Sequence, residues 1–241
     1  MAKGNRGGKR TGGATPQVQQ QQPVQTMSDV YNQFNSMTDD QKADVISNMI
    51  SQDVPDHLAN NSFQKLIYNM DLNDKPDLVD DATLNSMTGT EIFRTVNSVY
   101  DRQHDISYTA DQIAKQVQSG SVTRVSDNGG SVYGRGIYFA DSKSESSAYG
   151  NTHGNVNKTA QIRAKLNSNA KTISYSQAVS GVKSEINSGS KLGKILAKCD
   201  SNSQSSVWAL AKGYNVITSG HGYYNILNRN AVTISKSVKP I

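Results

Sequence analysis

The sequence predicts an α+β fold with a helical segment in front of it, on three observations. Apolar residues recur at helical spacing from 28 to about 87, and after Gly89 the apolar period shortens to that of strands. The helices among those strands are few and irregular, without the regular βαβ alternation of a parallel sheet. Composition limits the core: 35% of the residues are hydrophobic, against roughly 45–50% in ordinary soluble domains. The expected product is a modest sheet among polar loops. It divides into a basic, Gln-rich tail at 1–27, a helical segment at 28–88 and the main domain at 89–241.

In the helical segment, Val30, Phe34 and Met37 form one apolar face. Thr38 or Asp39 can cap a second helix with Val45, Ile46, Met49 and Ile50 on its inner side, and Ser62 can cap a third carrying Leu66, Ile67 and Met70. Pro55 and Pro76 punctuate these segments, and the Met-rich stripe reads as ordinary core. Beyond Gly89, 91–96 reads as a strand and 109–118 as a helix that buries Ile113, Ala114 and Val117 and ends at Gly120. Further strands are expected at 136–140, 159–166, 171–173, 215–218, 223–227 and 231–234, with short helices near 176–187 and 207–212.

The net charge of +5 has a narrow origin. Residues 1–26 hold Lys3, Arg6, Lys9 and Arg10 and no acid, which leaves +1 for the rest of the chain, so an extended basic groove is not expected in the body. The tail has almost nothing to bury and is expected to be disordered or ordered only by a partner. Its Arg-Gly-Gly and Lys-Arg elements can touch a polyanion or an acidic protein surface. Cys199 is the single cysteine, so neither an intrachain disulfide nor a cysteine metal cage can form, and the neighbouring Asp200 argues against a reactive thiolate. His57, His104, His153 and His221 lack metal-ligand spacing, and no metal is expected. Neither the apolar stretch of a secretory signal nor a run of ~18 apolar residues is present, which predicts a soluble chain with no membrane partner. Gly-x-Ser-x-Gly, Walker and Rossmann fingerprints are missing as well.

The chemistry is concentrated between Tyr133 and Gly150. Gly134 and Gly136 let the backbone approach a ligand with no Cβ in the way, and Ile137-Tyr138-Phe139-Ala140 then forms a short apolar strand. Tyr138 and Tyr149 are eleven residues apart, so a helix starting near Ser142 brings Tyr149 back beside the strand end. Two rings can then hold an aromatic amide between them, with Ser146 one turn before Tyr149 to hydrogen-bond it. Spacing alone favours a blander arrangement, two tyrosines packed in a core beside a Gly-rich turn.

This block resembles the signature of ADP-ribosyltransferases of the poly(ADP-ribose) polymerase and diphtheria-toxin type, where a Gly-x-Gly-Ile-Tyr-Phe-Ala-Asp strand is followed by a helix ending in Ser-x-x-Tyr. The resemblance spans about residues 91–234. It implies a split, strongly bent pair of small antiparallel sheets with NAD, as substrate, in the cleft between them. It further implies that Tyr138 lies beneath the nicotinamide ring, that Tyr149 stacks on it and that Ser146 bonds its amide, with Gly136 and Phe139 in the cofactor-binding strand. Phe93-Arg94-Thr95-Val96 stands where the family has a strand ending in His-Gly or Arg-Gly. Arg94 thus resembles the arginine that braces the NAD phosphates or ribose, a task suited to a planar fork of donors. Thr95 stands in place of the family glycine. Taken without the neighbouring motif, Arg94 reads equally well as a strand-end arginine paired with Glu91.

The family's third motif is a late strand whose glutamate or aspartate contacts the ribose. Residues 213–217 and 221–234 resemble its closing hairpin, which puts Tyr223 at the acid position, and no Asp or Glu follows Asp200. A neutral Tyr223 or His221 cannot offset the positive charge that develops on the ribose. Transfer then needs an acid from elsewhere, such as Glu91, Asp141 or Glu145, or one from the acceptor. The resemblance implies an NAD-dependent mono-ADP-ribosyltransferase acting on an unidentified macromolecular acceptor, or an inactive relative serving as a virion or host-interaction protein. Similar domains behind a helical segment occur among bacteriophage proteins, which implies a phage origin and a place in the host cytoplasm or the virion. Nucleic-acid binding through the basic tail is a third reading.

Overall fold

The computed structural model describes residues 27–55, 61–70, 76–101, 106–119, 135–151 and 159–240. The tail at 1–26, with its expected disorder and polyanion contact, lies outside the described residues, as do Gly120, Tyr133 and Gly134.

Three helices open the described chain: α1 (Met27–Ser36), α2 (Asp39–Ser51) and α3 (Ser62–Asn69). Thr38 caps α2, and Gln41 completes a reciprocal capping box. Asn61, not Ser62, caps α3; Ser62 already belongs to the first turn, where its N–H donates to the Asp200 carboxylate at 3.0 Å. There follow β1 (Asp77–Val79), α4 (Asp81–Ser86), β2 (Glu91–Asn97), the short pair β3 (Val99–Asp101) and β4 (Ile106–Tyr108), α5 (Ala110–Ser119), β5 (Ile137–Ala140), α6 (Lys143–Asn151) and β6 (Thr159–Leu166). Then come β7 (Thr172–Ser174), α7 (Tyr175–Asn187), α8 (Lys191–Leu196), α9 (Ser201–Ala211), β8 (Val216–Thr218), β9 (Tyr223–Ile226) and β10 (Val232–Pro240).

Helices and strands are mixed, as expected, but the described strands form one open sheet in the order β1-β10-β6-β2-β5-β9-β8-β7, with β3 and β4 as a separate pair. It is not purely antiparallel, because the edge strands β1 and β7 run parallel to β10 and β8. Nor is it divided into two sheets. β2 is laddered on β6 from Glu91↔Lys165 to Asn97↔Thr159, β5 is laddered on β9 from Ile137↔Ile226 to Ala140↔Tyr223, and the halves meet at the single pair Phe93↔Ala140. Of the parallel edges, β7 overlaps the strand expected at 171–173, whereas β1 escapes hydrophobic periodicity because three residues are too few to carry an alternation.

Two cores flank this sheet. On one face α5 lays Ile113, Ala114 and Val117 against Ile92, Val96 and Ile162. At the β7–β8 end, Phe34, Ile46 and Leu66 from α1–α3 pack with Leu196, Leu210 and Ile217. The helices of the 28–88 segment therefore share their core with elements of the main domain. Among the described residues no helix is long and apolar enough to cross a membrane.

A charged clamp reinforces the helical packing. Lys212, at the end of α9, reaches Asp39 at 2.7 Å and Glu185 at 3.2 Å. The Lys212 hydrogen bond holds the Asp39 carboxyl below its ordinary value. For Glu185, burial pushes the carboxyl up, but hydrogen bonds from Ser190 and Lys212 outweigh it and leave it lowered. Burial also works against the Lys212 ammonium, yet its two carboxylate partners raise it. Lowered carboxyls contribute stability above their unfolded values and lose it as pH falls through the folded ones; the raised ammonium loses its share only as pH climbs through its folded value. Melting temperature is thus expected to fall as the pH drops below the ordinary carboxylate range. Lys212→Met should cost about 1–2 kcal/mol at neutral pH, since the Asp39 half of the clamp is exposed and screened. Calorimetric scans of that variant should also show a shallower acid limb, and an unchanged limb would assign the acid loss to other groups.

Candidate functional site

The sheet order makes neighbours of the three strands that carry the candidate site: β2 with Arg94 and Thr95, β5 with Tyr138, and β9 with Tyr223. Residues paired directly across strands point to the same face, and alternate residues share it. The pairs Phe93↔Ala140, Ala140↔Tyr223 and Tyr138↔Asn225 therefore place Phe93, Thr95, Tyr138, Tyr223 and Asn225 on one face. Ile137 and Phe139 face the other way, with Phe139 buried in the α5 core. Phe139 is thereby a packing residue of the candidate strand and stands away from the face that holds Tyr138.

Helix α6 covers the shared face. The Ser146 and Thr95 hydroxyls lie 2.9 Å apart, with Ser146 buried. Thr95 thus fills the space beside Ser146. One residue earlier on the helix, the Glu145 carboxylate accepts a hydrogen bond from the Tyr223 hydroxyl. The Lys143 ammonium sits 5.6 Å over the Phe93 ring, a cation–π contact that seats the first turn of α6 on β2. Tyr149 belongs to α6, and its side chain lies outside the described residues.

Arg94 occupies a different place. By alternation it shares the opposite face of β2 with Ile92 and Val96, and its Nη1 donates to the Tyr138 carbonyl at 2.8 Å. This bond spans the gap where β2 and β5 diverge from their one shared pair. Glu91, the partner that the sequence also allows for Arg94, is paired with Arg163 at 2.6 Å. Beside Arg94 lies Arg229, buried in a short 3-10 turn; burial, then the Arg94 charge, push its guanidinium down to about 10.

The start of β5 is fixed from the β9 side. Gly136 has φ +152°, and a Cβ there would run into the Asn225 amide and the Ile226 carbonyl. Asn225, itself buried, donates to the Arg135 carbonyl at 3.1 Å, and Ser206 of α9 donates to the same oxygen at 2.6 Å. Asn225 and Ser206 are neighbours of the candidate strand that motif spacing does not single out. The one sequence signal for Asn225 is its period-two relation to Tyr223 in an otherwise apolar strand.

Of the acids open to the site from sequence, Glu91 is taken by Arg163, and Asp141 sits against Gly222, whose carbonyl its N–H engages at 2.8 Å. Glu145 is the one that reaches the Tyr223 hydroxyl. Cys199 is buried, and burial first, with Asp200 adding to it, pushes its thiol up. Among the described residues no group of three or more His, Cys, Asp or Glu side chains could hold a metal ion; His57, His104 and His153 lie outside them. Comparison with family models, curated proteins and solved structures gives no match in any of the three.

Proposed function

We propose that the chain is an NAD-dependent mono-ADP-ribosyltransferase that holds nicotinamide on the α6 face of β2, β5 and β9 and transfers ADP-ribose to a macromolecular acceptor. The observation that carries this reading is the convergence of residues from separate sequence motifs: Thr95 and Ser146 in mutual contact, with Tyr138 and Tyr223 on adjacent strands of the same face. A half-buried tyrosine ring offers an aromatic floor, and paired hydroxyls, able both to donate and to accept, match the two polar ends of a carboxamide. Within the one continuous sheet the two laddered halves meet at a single pair, and this narrow junction supports comparing them with the two sheets expected of the family. Arg94 acts here from the opposite face of β2 by holding the Tyr138 carbonyl, so that it positions the strand carrying the ring.

Titration calorimetry with NAD tests this directly. Tyr138→Ala and Tyr149→Ala should each weaken binding by roughly 1–2 kcal/mol, from lost stacking and burial. Arg94→Lys keeps the charge without the planar fork and should weaken binding while leaving the melting temperature nearly unchanged. No binding by the unaltered protein, or unchanged affinity in both tyrosine variants, would remove NAD from the account. A large stability loss with normal affinity would make Arg94 a residue of the fold alone. Tyr223 in the acid position favours a second reading, an inactive member that keeps the site; binding of NAD without turnover is its signature.

A further inference from the structure

We infer that Glu145 supplies the carboxylate that the third strand lacks, and that Tyr223 holds it in place. The inference rests on the NAD reading above and extends it to the reacting bond. Adjacent residues of α6 reach in opposite directions across the three strands: Ser146 meets Thr95 on β2, and Glu145 meets Tyr223 on β9, with β5 and Tyr138 between them. Nicotinamide has the matching polarity. Its carboxamide and its glycosidic nitrogen occupy different corners of one ring, so an amide bound at the Ser146–Thr95 end above Tyr138 directs the ribose toward the Glu145–Tyr223 end.

Hydrolysis at that end balances without further reagents. The bond from the ribose anomeric carbon to nitrogen breaks, and its electron pair stays on nitrogen, so nicotinamide leaves neutral. The anomeric carbon carries positive charge opposite the Glu145 carboxylate, water oxygen bonds to it, and one proton passes to solvent. A fixed carboxylate stabilises the charge because it is already oriented when the charge appears. The other two acids fit less well. Glu91 is bound to Arg163 near the β6 ladder, and Asp141 packs on Gly222. Tyr223 does not contact the reacting carbon in this scheme; it is a positioning residue, its phenol donating to the carboxylate.

The test is release of nicotinamide from NAD by the full-length protein, followed chromatographically, with NAD affinity measured in parallel. Glu145→Gln is nearly isosteric and should cut the rate about 10²–10³-fold, the scale of one preorganised electrostatic group, with affinity and melting temperature little changed. Glu145→Asp retains the charge with a shorter reach and should fall between the two. Tyr223→Phe should lower kcat about tenfold at unchanged KM, as expected for one hydrogen bond to a charged group, a split that a merely structural tyrosine would not produce. Glu91→Gln should leave the rate as it is. Glu145→Gln turning over as fast as the unaltered protein would overturn the assignment, and so would NAD binding with no nicotinamide release by the unaltered protein; both leave the NAD reading standing. Failure of the unaltered protein to bind NAD removes both.

Discussion

Phe34→Ala is expected to destabilise the whole chain by about 3–5 kcal/mol, although Phe34 belongs to the helical segment that precedes the main domain. The ring is 2% exposed and packs in the core shared by α1–α3 and α7–α9. Removing it leaves a cavity that the surrounding helices cannot close, because Leu196, Leu210 and Ile217 are themselves fixed by the sheet end they cover. The sole tryptophan reports on the far side of this contact: Trp208 lies in α9, packs against the same core and stacks on Tyr214 at 6.3 Å. Urea unfolding followed by Trp208 fluorescence and by far-UV circular dichroism should therefore shift together in Phe34→Ala, as one cooperative transition. A variant whose tryptophan transition stays put while helical signal is lost early would make α1–α3 an independent appendage.

The elements with a strong apolar period are legible in the sequence almost to the residue. β6 is found at Thr159–Leu166 as read, and α5 buries Ile113, Ala114 and Val117 as its periodicity requires. Elements held by tertiary contacts are not. α8 is a six-residue helix containing Gly193, which sequence reasoning penalises; the glycine is needed because a Cβ would strike the Glu185 carbonyl at the end of α7. β10 continues to Pro240, past the apolar 231–234 stretch, by resuming its ladder on β6 after a register shift between Ile234 and Val238. The same division applies to the candidate site. Tyr138, Ser146 and Tyr223 are singled out by the family resemblance, since spacing alone favours a plain core, and the fold brings their strands and helix together. That Arg94 would turn to the Tyr138 carbonyl, and Glu145 to Tyr223, depends on sheet order, which no local pattern encodes.

Gly136→Ala is expected to cost about 2–4 kcal/mol and, on the proposed NAD reading, to take NAD affinity down with it. Two effects add. The backbone at φ +152° lies in a region that L-residues rarely adopt, and forcing one there costs on the order of 1–3 kcal/mol. The new methyl also meets the Asn225 side chain and the Ile226 carbonyl, neither of which gives way cheaply: Asn225 is buried and holds the Arg135 carbonyl, and Ile226 pairs with Ile137 in the β5–β9 ladder. Relief must come from moving the start of β5 away from β9, and Tyr138 is two residues further along. Two other glycines separate the contributions. Gly189, at φ +68° with open space around its Cβ position, should lose about 1–2 kcal/mol on change to Ala from backbone conformation alone. Gly220→Ala, with open space and no such φ, should fall within about 0.5 kcal/mol of the unaltered protein. Denaturant midpoints for the three variants, set beside their NAD affinities, give the test. If Gly136→Ala is no worse than Gly189→Ala in stability and binds NAD normally, the tight junction of β5 and β9 does not position Tyr138, and the proposed ligand-facing role of that strand loses its structural basis.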